Sequence, residues 1–317
     1  MNRRHFLKFL SVGTVASMAG ELALRGNDDF LPVVYEDMST SPAEMLRSIQ
    51  FMKSETPDAK SFLLAFQNHD SVVVSAPDNH GSYKKKMDNF EHAHHEDVFL
   101  AADKHQLLVN TFKRLDRVQN LVGHGNFNVL SFDEMIGHSK HYESVGRFKP
   151  EEIEFLEETF SDNVMRFGFY GERVTDEITA IVAGNERIKV PSTGHYLFKG
   201  DSLNLYKKVR RDLGDNVVLT SGIRSVVKQS HLFMAKTIQS RGNLSKASRS
   251  LAPPGHSFHG VGDFDVGKVG FGTKNFSAEF AQTDEFKKLV DLGYVAMRYP
   301  KENLLGVRFE PWHIKVA

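Results

Sequence analysis

Apolar residues recur at helical spacing in two long stretches of the chain. Over 97–122 they fall at Val98, Leu100, Ala101, Leu107, Leu108, Phe112, Leu115 and Val118, which predicts one amphipathic helix. Over 150–167, Ile153, Leu156, Phe160 and Val164 share a face, and Pro150-Glu151-Glu152 suits a helix N-terminus. A shorter helical pattern covers 43–52. Residues 61–66 and 71–75 are β-prone runs around a polar turn, a candidate hairpin. Residues 27–42 read as an irregular lead-in, and 78–86, polar with Gly and Pro-Asp-Asn signals, as a loop.

From about Arg187 the texture changes. The pattern predicts a helix over 201–213 stopped by Gly214, then a buried-type strand over 217–221 and a helix over 225–240. A polar loop is expected over 242–255, a short strand over 263–266, a helix over 283–292 and a closing strand over 306–316. Helices and strands mix without a βαβ repeat, so the expected class is α+β: a small antiparallel sheet with flanking helices, preceded by a helix-rich region. No internal repeat or low-complexity tract interrupts it.

The first residues carry a different message. Met1-Asn2-Arg3-Arg4-His5-Phe6-Leu7-Lys8 is cationic, and the short run 9–19 ends on small residues, with Ser17 and Ala19 suited to cleavage after Ala19. Arg-Arg-x-Phe-Leu-Lys resembles the twin-arginine export motif. The alternative is an amphipathic helix that begins the domain. The run is too short for a membrane span. The expected organisation is therefore a signal peptide over 1–19, a helix-rich region of unassigned role over 20–186 and a site-bearing domain over 187–317. The expected location is periplasmic or otherwise exported, with no stable membrane anchor after cleavage.

Composition narrows the chemistry. Lys+Arg and Asp+Glu balance at 40 each in 317 residues, so nucleic acid is a poor expectation for a partner. There is no cysteine, which excludes a disulfide framework and a thiolate metal site. Any metal must sit on His, Asp, Glu and water, and 15 His residues supply material.

Three clusters in the last third carry candidate chemistry: Ser221-Gly222-Ile223-Arg224-Ser225 with Gln229, then 255–265, then Glu310-Pro311-Trp312-His313. A zinc hydrolase needs three protein ligands, one open position and a carboxylate that moves a proton. His259, Asp265 and His313 could be the ligands and Glu310 the base. Glu310 and His313 are three apart, which in a regular strand puts them on opposite faces, so a bend is expected at Pro311.

These clusters resemble the VanY-type D-Ala-D-Ala carboxypeptidases, of the wider group that includes lysostaphin-like peptidases and the hedgehog signalling domain. Ser221, Gly222, Arg224 and Ser225 match, with Ile223 in place of Tyr. Pro253, Pro254, Gly255, Ser257, His259, Gly262, Glu310, Trp312 and His313 match as well. The resemblance covers about 190–317. It implies one zinc ion on His259, Asp265 and His313, with Glu310 as general base. It also implies Arg224 as oxyanion stabiliser or carboxylate grip, and Gln229 and Ser257 as substrate-positioning residues. His256, Asp263 and Trp312 are expected around this set, Trp312 either as pocket wall or as core. The implied substrate is the D-Ala-D-Ala end of a peptidoglycan stem peptide. L,D-carboxypeptidase and endopeptidase activity, or a non-catalytic wall-binding module, are the alternatives. One departure stands out: the family has six residues between the first His and the Asp, and His259 and Asp265 enclose five. Asp263 therefore competes with Asp265, which is preferred because Val266-Gly267 follows it. The cluster 91–97, with three His, reads as a solvated segment, as do His124, His138 and His141.

Overall fold

The computed structural model describes residues 80–316. The expected signal peptide, the lead-in, the helix over 43–52 and the candidate hairpin lie outside them.

The first element corrects an expectation. His80–Asp88 is a helix (α1) where a loop was predicted. Its polar sequence hides the reason: Tyr83 is buried, and its hydroxyl accepts the Gly306 amide at 2.7 Å. The predicted helix over 97–122 starts late. His105–Val122 (α2) follows a single 3-10 turn at Ala102–Lys104. Residues 98–101 run extended instead, because Phe99 bridges Asn243 and the Val98 carbonyl accepts the Leu244 amide. Two short helices follow, His124–Phe127 (α3) and Phe132–His141 (α4), the latter held by a Ser131/Glu134 capping box. Pro150–Ser161 (α5) stops short of the predicted 167. Ser161-Asp162-Asn163 offers side-chain oxygens that compete with helix bonding, and Asn163 caps a separate turn at Val164–Phe167.

Arg187–Lys189 (β1) and Tyr196–Phe198 (β2) form an antiparallel pair that the pattern missed, since three residues are too few to show a period. Asp201–Leu213 (α6) ends at Gly214, φ 70°, as expected. Val217–Ser221 (β3) leads to Val226–Gln239 (α7), capped by Ser225. The expected loop over 242–255 contains Leu244–Ser250 (α8), capped by Asn243. Its polar residues are structural: Arg249 reaches buried Asp97 at 2.7 Å. Phe264–Lys268 (β4) and Asp284–Asp291 (α9, capped by Thr283) lie close to their predicted ranges. The predicted closing strand contracts to His313–Ile314 (β5).

Strands β3, β4 and β5 form an antiparallel sheet in that order. Successive side chains on a strand point to opposite faces. Leu219, Phe264, Val266, Trp312 and Ile314 enter one core with Tyr206, Val209, Phe286 and Leu289 from α6 and α9. Asp265 and His313 face the other way. A second core joins Leu108, Leu115, Val118, Phe127 and Leu156 to Val227, Met234 and Ile238 of α7. Position 187 therefore marks a change of texture within a continuous hydrophobic core.

Candidate active site

The sheet register sets up the site. Ser221 pairs with Asp265, and Asp265 pairs with His313, so the three form a row across β3, β4 and β5. A shift in register between Leu219 and Ser221 turns the end of β3 toward the Arg224 loop. His259 comes from a 3-10 turn at Phe258–Gly260, whose His259 carbonyl accepts the Arg224 amide. At Pro311 the chain turns: the His313 amide donates to the Glu310 carbonyl at 3.2 Å. This is the bend that the three-residue spacing required, and it brings Glu310 Oε2 within 3.8 Å of His313 Nδ1.

His259, Asp265 and His313 each direct one ligand-capable atom into a common space, all within 4.8 Å of one another and all buried. Asp265 Oδ1 lies 3.3 Å from His259 Nε2 and 3.2 Å from His313 Nδ1, yet makes no hydrogen bond. The outer nitrogens explain this. His259 Nδ1 is 2.8 Å from the Gly222 carbonyl, which can only accept. His313 Nε2 is 3.0 Å from Asp263 Oδ2. With both outer nitrogens acting as donors, the inner nitrogens present lone pairs to a carboxylate oxygen. Three lone pairs converging in a buried space fit a cation, and nitrogen and oxygen donors in this number suit zinc.

The electrostatics agree. Burial resists charge on His313, but hydrogen bonds to Asp263 and Asp265 outweigh it and hold its pKa up at about 9. Burial lowers the pKa of His259, reinforced by Arg224. Burial works against the charged form of Asp265, but His259, His313 and Arg224 hold its pKa far below the usual carboxylate range. A proton and a metal ion thus compete for the same place.

The other expected residues fall as follows. Asp263 is fully engaged outside the trio, accepting from Arg298 Nε at 2.9 Å, His313 Nε2 at 3.0 Å and the Val316 amide at 2.7 Å. Arg224 is buried and donates to Ser221 Oγ at 2.9 Å and Asp265 Oδ2 at 2.8 Å. A surface ion pair is thereby excluded. Gln229, on α7, donates to the Ala252 carbonyl at 2.5 Å, while its Oε1 is buried without a partner. Ser257 is buried at the start of the His259 turn. His256 differs from expectation: its Nδ1 contacts the Gly171 and Glu172 carbonyls, at 3.2 and 3.0 Å, rather than a member of the trio. Trp312 is core, edge-on to Phe276. Of the segment expected to be solvated, Asp97 is buried on Arg249 and Asn243, and His124 lies edge-on to His195 at 6.2 Å.

Three neighbours carried no sequence signal. Arg298 holds Asp263 and stacks on Phe258, 3.5 Å from the ring centroid. The Tyr299 ring lies 5.2 Å from that of His313, and its carbonyl accepts the Glu310 amide. Arg308 stands 4.0 Å from Glu310 Oε1. All three sit in or beside the irregular stretch 294–310, where no periodicity predicts a neighbour.

Residues 201–316 match the family model of D-alanyl-D-alanine carboxypeptidase, VanY. Every member of the trio, with Glu310 and Arg224, falls inside that range. A search of curated proteins returned no match. Among solved structures, the LdcB LD-carboxypeptidase is 26% identical over 38% of this chain, with a TM-score of 0.33. The matched part spans 59% of the LdcB chain. A variant of the vancomycin-resistance D,D-pentapeptidase VanY in complex with Zn(II) is 19% identical, over 47% of this chain and 85% of that one, with a TM-score of 0.35. VanYB in complex with D-alanine-D-alanine is 21% identical with the same coverages and TM-score.

Proposed function

We propose that this protein is an exported zinc-dependent carboxypeptidase that removes the terminal residue from D-Ala-D-Ala stem peptides of peptidoglycan. The reading is carried by the trio of converging, unprotonated donor atoms with Glu310 beside it, inside the range matched by the carboxypeptidase family model. The Arg3-Arg4 leader supports export by the twin-arginine route.

A zinc ion on His259, Asp265 and His313 would supply Lewis acidity toward a water and a peptide carbonyl. The chain's own residues do the rest. Glu310 stands where a carboxylate can take a proton from water and pass it to the leaving amine. Gly222 O and Asp263 fix the two imidazoles. Arg224 neutralises Asp265 and brings positive charge next to the place where negative charge develops on the carbonyl oxygen. Gln229 and Ser257 are buried near the same loop and position the peptide.

The test is metal content and D-Ala release from a defined pentapeptide, for wild type and Glu310→Ala. Both should hold about one zinc per chain, and the variant should lose roughly 10²–10⁴-fold in rate. A protein that binds no zinc sinks the mechanism. Cleavage within cross-links, or release of D-Ala only from a tetrapeptide, would move the activity to an endopeptidase or an L,D-carboxypeptidase.

A further inference from the structure

Arg308 has a place that the proposed reaction leaves unused. Its guanidinium carbon lies between two rings, 4.8 Å from the centroid of Phe90 and 4.9 Å from that of Trp312. The side chain is 13% exposed. Its Nε is buried with no hydrogen-bond partner among the described residues. The nearest acid, Glu310, is 4.0 Å away, an ion pair beyond hydrogen-bond range. A guanidinium presents planar donors and makes paired bonds to carboxylates, and leaving a buried donor unmade is costly. Stacking on both faces fixes the plane of that fork. The group is thus oriented, charged and short of an acceptor.

It also borders space. Arg308 and Phe309 line a cavity of about 610 Å³, to which Lys236, Lys301, Phe90 and Phe276 contribute. Asp88, Glu91 and Glu279 reach the same cavity, Glu279 paired with Lys274 at 2.9 Å. By contrast, Arg224 spends Nε on Ser221 and a terminal nitrogen on Asp265. A carboxylate grip at Arg224 would compete with its support of Asp265.

We propose that Arg308 is the specificity-determining residue that receives a carboxylate of the peptide substrate, in the cavity beside it. This rests on the carboxypeptidase reading above. A substrate carboxylate close to Glu310 would meet a like charge, and a cation next to both removes that repulsion. Arg308 is within ion-pair reach of Glu310 and open to the cavity, so it can serve both.

The experiment uses zinc-loaded, full-length protein and three peptides that share one scissile bond. One ends in a free carboxylate, one in an amide, and one in an amide with an added Glu side chain. Wild type should prefer the free acid. Arg308→Gln should raise KM for the free acid by at least about tenfold, toward the value for the amide, and so lose the preference. Arg308→Lys should recover part of it, having charge without the fork. If the added Glu side chain, not the terminus, restores preference in wild type, that carboxylate is the one received. Unchanged preference in Arg308→Gln overturns the proposal. So does an equal loss on every peptide, which would mark a purely structural residue.

Trp312 gives a readout that needs no hydrolysis, because it is the chain's single tryptophan and stacks on Arg308. A non-hydrolysed acid analogue should change its fluorescence in wild type and not in Arg308→Gln, with the amide analogue silent in both. That pattern without any hydrolysis would leave Arg308 assigned and sink the carboxypeptidase reading. Hydrolysis with no fluorescence response and unchanged preference would do the reverse. Should Arg308→Gln fail to fold, the preference and fluorescence of Arg308→Lys decide the question.

Discussion

Asp263 and Asp265 show how little residue type says about role. They are two apart, both buried, and both lead into the same strand. What separates them is what each touches. Asp265 directs an unbonded oxygen at two imidazoles, whereas Asp263 is taken up by Arg298, His313 and a backbone amide. The shortened spacing after His259 left the two in competition; the partners favour Asp265. Asp265→Asn should abolish tight zinc binding. Asp263→Asn should weaken it by about 10–100-fold, because only the orientation of His313 suffers. Zinc competition against a chelator of known affinity measures both. Equal losses in the two variants would contradict the assignment.

At the scale of elements, punctuation decided what could be read. The helix Asp201–Leu213 and strand Val217–Ser221 sit between clear stops, and their ranges follow from the sequence. The helix Leu244–Ser250 is nearly all polar, and long-range partners such as Asp97 fix it, so it looked like a loop. Gly222 shows an element-level constraint hidden inside a motif. A Cβ there would lie 2.1 Å from the Tyr196 carbonyl oxygen of β2, whose acceptor already binds the Ile223 amide. Gly222→Ala must push β2 away from the Arg224 loop. It should cost about 1–3 kcal/mol of stability, as overpacking typically does. It should also weaken zinc retention, since the Gly222 carbonyl orients His259. Thermal unfolding of metal-free protein and zinc titration separate the two effects; a variant unchanged in both would refute the close-contact argument.

Across the whole molecule, α7 ties the site to the preceding helices. It carries Lys228 and His231 into the interior, and Lys228 donates to Gln119 on α2 at 3.2 Å. Burial, followed by the nearby Lys228 charge, lowers the pKa of His124 to about 2 and of His195 to about 3, from an ordinary 6.5. These groups fold as neutral imidazoles. As pH falls below about 6.5 the unfolded chain takes up their protons and the folded chain does not, so stability drops toward pH 3. Urea midpoints of zinc-loaded protein should fall steadily from pH 7.5 to 5, and His124→Gln should flatten part of the slope. A flat wild-type profile would show that these imidazoles accept protons in the fold.

The sequence by itself determined the α+β class, the principal elements after 200 and the candidate residues His259, Asp265, Glu310 and His313. Those features depend on local periodicity and on motifs close in sequence. It also supplied the expectation of export, which rests on residues outside those described. Only the tertiary structure decided which aspartate faces the imidazoles, that Arg224 supports Asp265, that His256 turns toward Gly171 and Glu172, and that Arg308 lies stacked beside Glu310. These depend on contacts between residues tens to hundreds of positions apart, formed by sheet register and by the irregular stretch 294–310. No local pattern encodes such contacts, because chain packing rather than residue spacing selects the partner.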